Sequence, residues 1–239
     1  MKNGTAKLAV AALIALAVVL GLSVFTGSGQ STAYAQVVDL LQKAHTMTFS
    51  VVNKTGVDTM PTVRTQIAFK QPGSMRITNV DGFVTVAQAS GDDLQGMNLI
   101  PLQKKYARFE LSNIPDNPNP GPYVSAETLR SLPAQADEAL GQTEIDGRLL
   151  EGYRVRQDDT TTTVWIDPAT GELARAEMKF ATAPGMDVIL TDFQFDIHLD
   201  DGLFSLEPPA DCTPLGAEFQ ADAAAMTEAD LIAFLRFWS

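Results

Sequence analysis

Apolar and polar residues alternate along most of this chain, in short runs separated by turn chemistry. Thr46 to Val52 puts Met47, Phe49 and Val51 on one face, and Val63 to Phe69 repeats the pattern with Val63, Ile67 and Phe69. Gln71-Pro72-Gly73 turns the chain into Met75 to Val80, and Asp81-Gly82 turns it again into Phe83 to Ala89. An Asp-Gly pair between alternating runs is a strong hairpin signal, because both central positions of such a turn need φ > 0. Leu94 to Leu102 and Tyr106 to Leu111 continue the meander. After a Pro/Asn-rich break at 113–122, Leu140 to Ile145 and Arg148 to Arg156 flank Asp146-Gly147. Thr160 to Ile166, Leu173 to Phe180 and Val188 to Ile197 then close the series, and Pro208 and Pro209 end the sheet or mark its edge. About eleven strands with no long helix between them predict a mainly β (α+β) fold with an antiparallel sheet.

Two helical stripes interrupt the alternation. Tyr34, Val37, Val38 and Leu41 recur at i, i+3, i+4 and i+7, predicting a helix over 32–44 with Ser31 or Thr32 as N-cap. Tyr123 to Leu132 reads as a short helix ended by Pro133. The apolar face of a large sheet must be covered, and these two helices are the available covers. At the far end, Thr227 as N-cap, Asp230, and a Leu231, Phe234, Leu235, Trp238 stripe predict an amphipathic helix at 228–238 within a 212–239 tail.

The N-terminus has a different character. Residues 1–7 are short and basic, and 8–26 are almost wholly apolar. At about 1.5 Å per residue such a run spans roughly 27 Å, close to a bilayer core. Lys2 and Lys7 place residues 1–7 in the cytoplasm and the rest outside. Two readings compete: a single-pass anchor followed by a 27–31 spacer, or a secretory signal cleaved near Ala35 at Ala33-Tyr34-Ala35. The anchor is favoured, because the run exceeds a signal core and because cleavage there removes the first turn of the Tyr34 helix.

Charge narrows the partners. Of 239 residues, 17 are Lys or Arg and 29 are Asp or Glu, a formal charge of −12, and residues 1–35 contribute only Lys2 and Lys7. So acidic a surface repels phosphate backbones and argues against nucleic acid. Cys212 is the single cysteine, which excludes an internal disulfide, a Cys-rich zinc site and a lipid anchor on a cysteine after the apolar run.

Catalytic motifs are missing: no G-x-S-x-G, H-E-x-x-H, Walker A or G-x-G-x-x-G occurs. His45 and His198 read as structural imidazoles, and Asp196, Asp200 and Asp201 as turn residues rather than a calcium loop. No cofactor, metal site or enzyme activity is expected. What remains is apolar surface, and a sheet this large over short helices leaves room for a hollow between them. Apolar pockets take acyl chains at about 0.8 kcal/mol per buried CH₂. The candidate lining is Met47, Phe49, Val51, Ile67, Phe69, Met75, Ile77, Val84, Val86, Phe109, Trp165, Met178 and Phe193, each of which also reads as ordinary core.

The run WIDPATGEL with Arg175 and Glu177, a strand of alternating aromatics, and then LFSLEPP resembles the closing strands of LolA-like bacterial envelope proteins. That superfamily includes the periplasmic lipoprotein carrier, its outer-membrane acceptor and RseB-type sigma-factor regulators. The resemblance covers about Ser31 to Pro209, within a 32–211 domain, and the start of the Tyr34 helix resembles membrane-anchored sorting proteins. It implies a half-open antiparallel β-barrel whose concave face, covered by short helices, holds the acyl chains of a lipid or lipoprotein. It also implies a place on the periplasmic face of the cytoplasmic membrane and an arginine gate, for which Arg64 and Arg76 are the candidates. The alternative it leaves open is an envelope-stress sensor acting through a membrane protein partner.

Overall fold

The computed structural model of the chain describes residues 29–55, 63–114, 126–216 and 218–222. The apolar segment 8–26 and the 228–238 helix lie outside these residues, and no helix among the described residues is long and apolar enough to cross a membrane. The structure is mainly β: one large, open, mostly antiparallel sheet with two short helices. The strands are β1 (Thr46–Thr55), β2 (Val63–Lys70), β3 (Ser74–Asn79), β4 (Val84–Ser90), β5 (Asp93–Ile100), β6 (Lys105–Ser112), β7 (Glu138–Ile145), β8 (Arg148–Gln157), β9 (Thr160–Ile166), β10 (Leu173–Phe180) and β11 (Met186–Phe195). Two short ones, β12 (Thr213–Pro214) and β13 (Phe219–Asp222), follow. The helices are α1 (Gly29–Lys43) and α2 (Ala126–Arg130). Helix α1 begins earlier than its sequence signals suggest, so Ser31 and Thr32 lie inside it rather than capping it.

Two meanders, β1 to β6 and β7 to β11, join edge to edge where β1 pairs with β11, giving the order β12-β6-β5-β4-β3-β2-β1-β11-β10-β9-β8-β7. The seam carries a bulge between Thr48 and Ser50, opposite Asp192 at φ 58°. Asp tolerates that conformation better than most side chains, and the extra residue bends the strand. At the start of β1, Asp196 accepts the His45 backbone N–H at 2.8 Å and the Thr46 hydroxyl donates to the Ile197 carbonyl at 2.7 Å.

The chain beyond β11 departs from expectation. LFSLEPP does not end a strand at the sheet's edge. Residues 197–206 instead form a strap across the outer face, with a 3₁₀ turn at Asp201–Phe204 whose Gly202 N–H donates to the Asp200 carboxylate at 2.7 Å. Leu199 and Phe204 bury Val84, Val86, Met97 and Leu99 beneath this strap. Lys70 pairs with Asp201, and the Gln88 side-chain amide donates to the Phe204 carbonyl at 2.8 Å. The strap carries the chain to the far edge, where β12 and β13 pair in parallel with β6.

The main core lies on the opposite, helix-bearing face. Tyr34, Val37, Val38 and Leu41 of α1 are all buried there, as the stripe predicts, together with Ala126 and Leu129 of α2 and the following Leu132. Large side chains of this kind contribute about 1.5–3 kcal/mol each when fully buried.

Candidate functional site

Strand register decides which apolar residues can share a site, since directly opposed residues lie on one face and neighbours along a strand on opposite faces. Phe109, Gly96, Ala87, Met75, Phe69, Met47 and Phe195 stand in one continuous row from β6 to β11. Tyr153, Val164, Ala176, Leu190 and Val51 form a second row on the same face from β8 to β1. Ile77 opposes Ile67, which opposes Phe49, and Phe193 stacks on Phe49 with ring centroids 5.7 Å apart. Ten of the thirteen candidate lining residues therefore share the helix-bearing face: Met47, Phe49, Val51, Ile67, Phe69, Met75, Ile77, Phe109, Met178 and Phe193. Most are buried; Met75, Ile77 and Phe193 are half-buried.

Three candidates do not join them. Val84 opposes Thr78 and Leu99, and Val86 opposes Arg76 and Met97, all on the outer face under the strap. Trp165 opposes Gly152 and Arg175, also outside. A Cβ built on Gly152 would overlap the Trp165 ring, so the glycine makes room for it. On the helix-bearing face Gly96 stands in the same relation to Phe109.

The two candidate gate arginines are outside as well. Arg64 donates to the Asp192 carboxylate at 2.6 Å, and Arg76 donates to the Leu203 carbonyl of the strap at 3.1 Å. Burial lowers the Arg76 pKa from its ordinary value. Arg76 and Asp192, with Ser50, Gln66, Thr78 and Gln194, border an open polar cleft of ≈ 370 Å³ on the outer face, which Arg64 itself does not line. The Asp192 carboxyl is held below the usual carboxylate range, first by the Ser50 hydroxyl and then by Thr191 and Arg64.

The arginine that does reach the helix-bearing face is Arg130, at the end of α2. Its Nη2 donates to the Ala44 carbonyl at 2.6 Å and its Nε to the Leu41 carbonyl at 3.2 Å. These are carbonyls at the C-terminus of α1, which lack intrahelical partners and carry the negative end of the helix dipole. The guanidinium also lies 4.3 Å from the centroid of the Phe69 ring. One side chain thus ties α1, α2 and β2 together. Nothing in the sequence around Arg130 points to acceptors 86 and 89 residues upstream; a basic residue in the last helical turn was the only available signal.

Where α1 crosses the second row, the rings of Tyr34 and Tyr153 lie 5.5 Å apart. Both side chains are buried, and neither hydroxyl has a partner within hydrogen-bond geometry among the described residues. Burial pushes both phenols up to about 12, with Asp137 beside Tyr34 and Glu151 beside Tyr153 acting in the same direction. Glu151 raises the Tyr153 pKa both through its charge and by its approach to the hydroxyl, an approach outside strict hydrogen-bond geometry, so Tyr34 is the phenol with no carboxylate at its oxygen. The Asn53 side-chain carbonyl on β1 is likewise buried and unpaired. Asp196, Asp200 and Asp201 are engaged separately, and no group of His, Cys, Asp and Glu among the described residues is arranged to hold a metal ion.

No family model matches the sequence, and no curated protein matches it significantly. Among solved structures, the chain is similar to a putative outer membrane lipoprotein-sorting protein domain from Vibrio parahaemolyticus (13% identity, TM-score 0.37, covering 72% of this chain and 94% of that one). It is similar to a LolA superfamily protein from Nitrosomonas europaea (12%, 0.34, 73% and 96%). It is also similar to a chain of the Pseudomonas aeruginosa MucA/MucB complex (11%, 0.41, 77% and 62%).

Proposed function

We propose that this protein is a non-catalytic, LolA-like extracytoplasmic module that binds the acyl chains of a lipid or lipoprotein on the helix-bearing face of its sheet. The observation that carries this reading is an imbalance. Rows of apolar side chains run along that face from β6 to β8, yet among the described residues the helices packed on it have only 15 and 5 residues. A cover this small, pinned at one end by a single arginine, can lift or slide without unfolding the strands beneath. Acyl chains that take its place restore the lost burial at about 25 cal/mol per Å² of apolar surface.

In this reading α1 is the movable element, Arg130 its pin, and Met47, Phe49, Ile67, Phe69, Met75 and Ile77 the floor. The sheet acts as a half-open barrel on the periplasmic side, joined to the cytoplasmic membrane through residues 8–26. An anchored module suits a fixed acceptor or a sensor with a membrane partner better than a shuttling carrier. Native mass spectrometry of protein purified from a bacterial host without detergent tests the binding claim. A stoichiometric acylated species, released by solvent extraction, is expected. A bare polypeptide mass that stays bare after incubation with a palmitoylated peptide would overturn it.

A further inference from the structure

We propose that Tyr34 and Tyr153 form a polar subsite inside the acyl-binding face, one that donates two hydrogen bonds to the ester or amide carbonyls of a neutral acylated ligand. The inference rests on the acyl-chain reading above and sharpens it. A buried O–H without a partner is costly, and the large majority of buried polar atoms in folded proteins are satisfied. Here two such hydroxyls occur on rings whose centroids lie 5.5 Å apart, one on the helix that serves as cover and one on the sheet below it. Isolated phenylalanines at the same positions would fill the same space at no polar cost, so the hydroxyls call for a partner from outside the chain.

The surroundings select the partner's chemistry. A phenol O–H offers one donor and seeks an acceptor oxygen. Asp137 and Glu151 stand beside the pair, and their charge disfavours a phosphate or a free carboxylate at this point. Val164 stands opposite Tyr153, and the core cluster that holds both tyrosines is otherwise apolar. A neutral carbonyl at the head of an acyl chain satisfies both conditions, while the chain itself runs along the apolar rows. An acylglycerol and an N-acylated peptide share this chemistry.

The test compares two ligands that differ only in the carbonyls: 1,2-dioctanoylglycerol and its ether analogue 1,2-di-O-octylglycerol, titrated calorimetrically into the full-length protein. Wild type is expected to bind the ester about tenfold tighter than the ether or more. Tyr34→Phe and Tyr153→Phe should each weaken ester binding about fivefold and leave ether binding unchanged. Tyr34→Phe should not lower Tm, because the Tyr34 hydroxyl has no hydrogen-bond partner among the described residues. Equal affinity of wild type for ester and ether, or a Tm loss in Tyr34→Phe, would overturn the subsite while ether binding leaves the acyl-chain reading standing. Binding of neither ligand would overturn both. An N-palmitoylated peptide titrated in parallel identifies the source: tighter binding than dioctanoylglycerol, lost in the same variants, assigns the carbonyl to an acylated protein, and weaker binding assigns it to a free lipid.

Discussion

Replacing Arg130 by Ala removes four interactions at once. The two bonds to the Ala44 and Leu41 carbonyls are charge-assisted, and the side chain making them is only 12% exposed. Hydrogen bonds to charged groups contribute about 1.5–3 kcal/mol each, and the contact with the Phe69 ring adds about 0.5–2 kcal/mol. These values overlap because the groups act together, so about 3–5 kcal/mol is expected for the whole substitution. The ion pair with Glu127 contributes little to this, since Glu127 is 70% exposed. Glu127→Ala therefore serves as a control expected to stay within about 0.5 kcal/mol of wild type. Arg130→Lys keeps the charge but loses the fork that reaches two carbonyls, and should recover less than half of the loss. Urea unfolding at pH 7 with linear extrapolation measures all three variants, and amide exchange locates the effect, with α1 amides exchanging faster than those of β8 to β10. A loss below about 1 kcal/mol for Arg130→Ala would refute the idea that this residue pins α1.

Other outcomes follow from the same geometry. Gly96→Ala should cost about 1–3 kcal/mol through overlap with the Phe109 ring, and Phe109→Ala in the same chain should cancel much of that cost, a non-additivity read directly by a double-mutant cycle. Asp192 has a folded pKa below its ordinary 3.8, so its contribution to stability is present above that pH and is lost as pH falls through the lower folded value. Asp192→Asn should accordingly flatten the acid limb of the stability profile below pH 3.8, as followed by thermal unfolding across pH. Tyr34 and Tyr153 have folded values of about 12 against an ordinary 10, so the neutral forms stabilise the fold fully below pH 10 and that contribution disappears as pH rises through 12. Ultraviolet titration should show Tyr34 and Tyr153 ionising only near pH 12, in step with loss of the near-UV circular dichroism signal.

Much of the fold was legible in the alternation itself. Asp81-Gly82, Asp146-Gly147 and the Asp167–Gly171 turn locate hairpins because each ends on a glycine at positive φ, a backbone geometry that few other residues adopt. The Tyr34–Leu41 stripe identified the buried side of α1 for an equally local reason. The choice of face for each strand was less accessible. Val84 and Val86 alternate as cleanly as Met75 and Ile77, but period two says only that two faces exist. Which face is buried depends on the strap at 197–206, more than a hundred residues later, and LFSLEPP reads like a strand because its apolar residues, Leu203, Phe204 and Leu206, sit beside or under the outer face. Trp165 misleads in the same way, since it is apolar and half-buried but covers Gly152 on the outside. Arg130 was not singled out because its acceptors are backbone carbonyls, which carry no sequence signature.

The most direct measurement of the central claim is hydrogen–deuterium exchange of the full-length protein with and without an N-palmitoylated peptide. If acyl chains enter beneath α1, exchange should change in α1, α2 and the facing strands β1, β2 and β8, while the strap at 197–206 and its partners β4 and β5 stay as they were. Peptide binding that alters exchange only at the strap or the outer polar cleft, and leaves α1 untouched, would contradict it.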